Sequence, residues 1–150
     1  MLEAIRLSSE GMRSDIGGPF GCVIVRNGEI IGKGNNQVTS TNDPTAHAEV
    51  SAIRDACRHL NTFQLDDCEL YTSCEPCPMC LGAIYWAKLR KIYYACTRKD
   101  AASIGFSDDY IYQEISKELN QRMIPIEQVM HVEGLLVFQD WMKKPDRIEY

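Results

Sequence analysis

A histidine and a carboxylate two residues apart, His47 and Glu49, precede three cysteines packed into seven positions, Cys74, Cys77 and Cys80. His47, Cys77 and Cys80 offer one imidazole and two thiols, donors that suit zinc. Three protein ligands leave the fourth tetrahedral position open to water, which separates a reaction centre from a closed structural site. A zinc ion held by two thiolates and a neutral imidazole carries no net charge. It acidifies water less than an all-histidine site, where bound water reaches a pKa of about 7. A general base must therefore stand alongside, and Glu49 is placed to be that base. Cys74 continues the spacing and would close the site as a fourth ligand. It precedes Pro76, however, at the exit of a strand and off the face shared by Cys77 and Cys80, so a non-ligand role is expected. An iron–sulfur run would need a further cysteine at position 84, where the chain has Ile84.

The elements that must position these groups are legible as patterns. Asp43-Pro44 predicts a helix start, with Asp as N-cap and Pro at the first helical position. Val50, Ile53, Cys57 and Leu60 then mark an apolar face. In a regular helix His47 and Glu49 point about 200° apart, so both reach one metal only over the first turn. Pro76 predicts a second helix start, running on through Ala87, with Cys77 and Cys80 one turn apart on one face. The positive end of that helix favours thiolates. Phe20 to Val25 and Glu29 to Gly32 read as strands joined by an Asn27-Gly28 hairpin. Strands are also expected at residues 68–71, 91–96 and 126–132. Helices are expected at residues 1–13, on an apolar stripe of Leu2, Ile5 and Met12, within 103–122, and at 133–142. Residues 35–45 read as a polar loop of the kind that carries binding groups.

Composition narrows the partners. The seven cysteines are an odd number, clustered, in a chain whose first residues do not read as a secretory signal. That pattern suits metal or catalytic use in a reducing compartment, and a cytoplasmic location is expected. No apolar run reaches the ~18 residues of a membrane span. Net charge is −5, and residues 101–150 hold nine acidic against five basic residues. Binding a phosphate backbone needs clustered Lys and Arg, so a small neutral substrate fits better than RNA or DNA. Cys22, Cys57, Cys68 and Cys96 read as buried small apolar residues. His59 and His131 read as surface or cap residues. Asn36 can read a purine edge with its amide or brace the loop. Phe20, Trp86 and Tyr110 can wall a flat slot or pack in a core, and Asp108 and Asp109 can be solvated residues at a helix start.

His47-Ala48-Glu49 followed by Pro76-Cys77-Pro78-Met79-Cys80 matches the H-x-E, P-C-x-x-C arrangement of zinc nucleobase deaminases. The segments from Asn42 to Glu49 and from Thr72 to Cys80 resemble the cytidine-deaminase-like superfamily, in stretches common to its tRNA-adenosine and guanine deaminase branches. Gly17-Gly18-Pro19-Phe20-Gly21 and Ile104-Gly105-Phe106-Ser107-Asp108-Asp109, with Ile111-Tyr112 and a terminal Glu149-Tyr150, resemble bacterial guanine deaminases. The likeness covers nearly the whole chain, apart from a first helix that starts a few residues late. It implies an α/β/α sandwich around a five-stranded mixed sheet, one deaminase domain over residues 1–150, and one zinc ion per chain.

Residue by residue, the resemblance implies His47, Cys77 and Cys80 as zinc ligands and Glu49 as proton shuttle. It implies Asn36 as the base-reading amide and Asp108 as a second acid near the amine. Ser107 departs from relatives that carry an acid there. Tyr150 is implied as a pocket-closing C-terminus, and beside these residues Phe20, Trp86 and Ala48 are expected as further contacts to the base. The tail from about residue 133 to 150 is then exchanged between the subunits of a homodimer. The implied reaction is hydrolysis of guanine to xanthine and ammonia in purine salvage or catabolism. Its alternative is another purine deaminase, acting on guanosine or on adenosine in tRNA. The competing class is a zinc-binding interaction module without catalysis.

Overall fold

Asn27 and Gly28 carry φ values of 51° and 85°, the left-handed values that a two-residue hairpin turn requires. They join β1 (Gly21–Arg26) to β2 (Glu29–Asn35) in the computed structural model, which describes residues 1–150. Two further strands, β3 (Glu69–Cys74) and β4 (Lys91–Cys96), complete a four-stranded sheet in the order β2-β1-β3-β4. β1 runs antiparallel to both neighbours, while β3 and β4 are parallel. A parallel pair needs a crossover, and here it is the helix α4 (Pro78–Trp86).

Two helices cover opposite faces of the sheet. α1 (Leu2–Arg13) lies against the face of Gly21, where an added Cβ would stand 2.2 Å from the Ala4 carbonyl oxygen. α3 (Ala48–Leu60) lies against the other face, where a Cβ at Gly34 would stand 2.3 Å from the Ala48 carbonyl oxygen. Backbone approach this close selects small residues on the helices. Ala48, Ala52 and Ala56 are the fully buried residues of α3 on that side, while Ile53, Cys57 and Leu60 are only partly buried at its flank. The same rule corrects the expectation for α1. Ala4 and Gly11 are buried there, and Leu2, Ile5 and Met12 are exposed. The core on the α3 side joins Cys22, Ile24, Leu65, Cys68, Leu70 and Ile84 to those alanines.

The chain divides into two units, Met1–Asp108 and Asp109–Tyr150. The first also contains α2 (Val38–Thr41), within the loop expected at 35–45, and α5 (Arg98–Ser103). The second holds α6 (Asp109–Ser116), a single 3₁₀ turn at Leu119–Gln121, and α7 (His131–Lys143). The expected fifth strand at 126–132 is absent. Met130 takes a left-handed conformation, φ 53°, and begins α7 as its N-cap. An extended segment cannot run through that residue. No residue of the second unit is buried. No helix is long and apolar enough to cross a membrane.

Candidate metal centre

The two helices that carry the chemistry both begin later than their proline signals suggest. Asp43 does not cap α3. Its Oδ1 accepts hydrogen bonds from the Thr45 backbone N–H and hydroxyl at 2.8 and 2.7 Å, which closes a turn instead. His47, extended at φ −73° and ψ 158°, is the N-cap of α3. In α4, Pro78 holds the first helical position and Cys77 is the N-cap. Neither residue makes a side-chain capping hydrogen bond. Both side chains are thereby left for the site, which lies at the positive ends of two helices. That placement favours anionic sulfur.

His47 Nδ1 lies 3.5 Å from Cys77 Sγ and 3.5 Å from Cys80 Sγ. All three donor atoms fall within 4.8 Å of one another. Tetrahedral zinc, with bonds of about 2.05 Å to nitrogen and 2.3 Å to sulfur, sets such atoms about 3.6 Å apart. The donor set fits zinc in both type and spacing. Cys74 ends β3, and its Sγ faces the Thr97 carbonyl oxygen at 3.6 Å, outside that group. The hydrogen bond from Cys80 and the neighbouring His47 hold the Cys77 thiol well below its usual range. Burial and the Glu49 charge add to that same bond in pushing Cys80 up.

Glu49 is buried beside this group. Its Oε2 accepts from Cys80 Sγ at 3.3 Å and its Oε1 from the Thr72 hydroxyl at 2.9 Å. Burial raises its pKa, against the hydrogen bonds from its own backbone, Thr72 and Cys80. A carboxyl group positioned beside a metal-ligand set, with its pKa raised by burial, suits general acid–base work. Thr72 was not among the residues singled out by sequence. Its signal is a polar residue in a strand whose neighbours on that face, Leu70 and Cys22, belong to the core.

Asn36 is buried at the end of β2, and it does brace the loop. Its Oδ1 accepts from the backbone N–H of Gly18 at 3.1 Å and of Val38 at 3.2 Å. Two backbone donors on the carbonyl oxygen fix the amide orientation, so that oxygen is engaged by the loop and not by a ligand. Phe20 packs against the core, and its ring meets Phe106 edge-on at 5.0 Å. Asp108, two residues after Phe106, is half-buried at the end of the first unit. Ala48 is buried between His47 and Glu49. Trp86 ends α4 and is 66% exposed, so the length of that helix separates it from Cys77. Tyr110 and Tyr150 lie in the second unit, with Tyr150 72% exposed. Cys96, expected to be buried, is exposed because β4 is an edge strand.

Comparison with known proteins bears on this geometry. The cytidine and deoxycytidylate deaminase zinc-binding region matches residues 1–96. The guanine deaminase of Bacillus subtilis is 56% identical over 147 residues, 98% of this chain and 94% of that protein. An X-ray structure of guanine deaminase from the same species superimposes with a TM-score of 0.96, covering 99% of this chain and 94% of that one. The tRNA-specific adenosine deaminase of Aquifex aeolicus is 48% identical over 81 residues, 54% of each chain. A structure of guanine deaminase from Nitrosomonas europaea matches with a TM-score of 0.68 at 34% identity, over 71% of this chain and 62% of that one.

Proposed function

The chain belongs to the cytidine and deoxycytidylate deaminase family, and on that premise we propose that it hydrolyses guanine to xanthine and ammonia. The observation that carries this reading is the meeting of His47, Cys77 and Cys80 beside a buried Glu49, in a chain 56% identical to a guanine deaminase along almost its full length. Adenosine in tRNA is the weaker reading. The likeness to the Aquifex enzyme spans about half of the chain, and the net charge of −5 offers no basic footprint for RNA. Guanosine is separated from guanine only by whether the pocket closes over N9. A zinc module without catalysis would leave the buried carboxylate beside the ligands without a task.

In this reading His47, Cys77 and Cys80 hold one zinc ion per chain. When bound, zinc supplies the Lewis acid that makes water acidic enough to attack near neutral pH. Glu49 accepts a proton from the attacking water and delivers it to ring N3 as the oxygen bonds to C2. Glu49 then takes the second proton, from the C2 hydroxyl, and passes it to the amine directly or by way of Asp108. The C2–N bond breaks, C2–O becomes the carbonyl of xanthine, and ammonia leaves. Asn36 presents its NH₂ to an acceptor on the base, O6 or N7, because its oxygen is held by Gly18 and Val38. Phe20 and Ala48 are the further contacts to the base.

The reading extends to assembly. Residues 1–150 form one catalytic domain whose tail, about 133–150, is exchanged within a homodimer in the cytoplasm, with Tyr150 closing the pocket. Three facts support the exchange: the second unit buries no residue of its own, most of its apolar side chains are exposed, and the edge strand β4 leaves Tyr94 and Cys96 exposed. Xanthine formation by the zinc-loaded protein, beside Glu49→Ala with its metal content measured, tests the proposal. A native protein that binds zinc but releases no xanthine would remove it.

A further inference from the structure

Thr72 is 0% exposed, on the stripe of β3 that faces α3. It stands opposite Cys22 of β1 and two residues from Leu70, both in the apolar core. A hydroxyl buried in such surroundings is unfavourable unless it is bonded, and valine would fill the same volume without a polar atom. In the fold the hydroxyl donates to Oε1 of Glu49 at 2.9 Å. That bond ties β3, an inner strand of the sheet, to the carboxylate at the start of α3.

Four groups act on Glu49: its own backbone N–H, the Thr72 hydroxyl, the Cys80 thiol at 3.3 Å from Oε2, and the charge of Cys77. Of these groups, the Thr72 hydroxyl alone belongs neither to Glu49 itself nor to a proposed metal ligand. Glutamate has several side-chain rotamers and two equivalent oxygens, and a proton shuttle works only if one oxygen faces the reaction each time.

We propose that Thr72 is a positioning residue for the deamination proposed above. It anchors Oε1 so that Oε2 alone carries the proton from water to the base. Thr72 keeps its own proton throughout, and no bond to it is made or broken. The inference rests on that reading of the site, but its structural half can be measured without turnover.

The test compares zinc-loaded native protein with Thr72→Val and Thr72→Ser. In Thr72→Val, zinc content and KM for guanine should stay within about twofold, while kcat falls about 10–100-fold, the worth of a hydrogen bond to a charged group. Thr72→Ser restores the hydroxyl and should recover kcat to within about threefold. Crystals of zinc-loaded Thr72→Val should show the Glu49 carboxylate turned or spread over more than one conformer. Thr72→Ala carries the same expectations should the valine variant unfold. Native kcat in Thr72→Val overturns the inference, as does zinc loss that accounts for all the lost rate. So does a serine variant as slow as the valine one. If the native protein deaminates no guanine, the functional reading fails, and the Glu49 conformation still decides this one: an unmoved single conformer in Thr72→Val overturns it.

Discussion

Residues 1–108 and residues 109–150 treat the same kinds of side chain in opposite ways. In the first unit Cys22, Ile24, Leu65, Leu70 and Ile84 are buried between the sheet and its helices. In the second, Ile115, Leu136, Val137, Phe138 and Trp141 are all exposed. α7 carries four consecutive apolar residues, Leu135 to Phe138, which at 100° per residue surround the helix instead of striping it. A helix apolar on all sides belongs in an interior, and an apolar surface left open marks an interaction site. The first unit holds a metal-ligand set in a core that its own chain completes. The second reads as a piece whose core is completed elsewhere, and a second copy of the chain supplies that in our proposal.

The sharpest way to break this comparison is to remove the ligands. Cys77→Ala or Cys80→Ala should lose zinc and turnover together, while Glu49→Ala should keep zinc and lose about 10²–10⁴ in rate. Metal analysis paired with turnover separates the two behaviours. Metal lost completely from Cys74→Ala would mean a closed, structural centre instead.

The next largest effect concerns the second unit. A chain ending at Pro145 should keep its zinc, lose most guanine turnover and remain dimeric by sedimentation if α7 alone makes the interface. Mixing it with full-length Asn36→Ala, after subunit exchange, should restore part of the activity, since hybrid dimers then contain one intact pocket. Full activity in the shortened chain would take the tail out of the mechanism. No rescue would leave it acting within its own chain.

Smaller again is the amide. With Oδ1 held by two backbone N–H groups, Asn36→Ala removes a donor to the base and loosens the loop, and guanine kcat/KM should fall by about 10-fold or more while zinc stays. Asn36→Asp keeps the oxygen but places a second acceptor where the NH₂ stood, and should be no better.

The smallest effects are on stability, and they point in opposite directions in the two units. Gly34→Ala puts a Cβ 2.3 Å from the Ala48 carbonyl oxygen. Overpacking of this kind costs about 1–3 kcal/mol, so thermal unfolding should begin several degrees lower. A Cβ at Gly134 of α7 meets nothing within 4 Å, and alanine is favoured over glycine in a helix by about 1 kcal/mol. Gly134→Ala should leave the melting temperature unchanged or raise it where that face of α7 stays open in the proposed dimer, and a fall would mean that the second copy covers it.

The metal set could be read from the chain because its information is local: residue types and spacings that survive any packing. The hairpin was legible for the same reason, since Asn27-Gly28 dictates its own backbone. Helix starts were not. Asp43-Pro44 and Pro76 are sound start signals, but Asp43 spends its carboxylate on Thr45, and α4 takes Pro78 as its first residue. Those few residues decide that His47 and Cys77 are caps instead of members of a turn. The face of α1 was misjudged because the stripe Leu2, Ile5, Met12 says nothing of the glycine strand it must approach. The fifth strand failed at Met130, whose left-handed backbone no apolar run announces. Thr72 escaped notice because its meaning lies in one contact across sheet and helix.

The central claim is that this centre acts on guanine, and ammonia release measures it most directly. Zinc-loaded native protein should release ammonia from guanine far faster than from adenine or cytosine, because a site built to pair with one base edge can reject others by about 10⁴–10⁵. Guanosine in the same assay reports whether the pocket closes over N9. Equal rates on guanine and cytosine, or none on any base from protein carrying its zinc, would contradict the account.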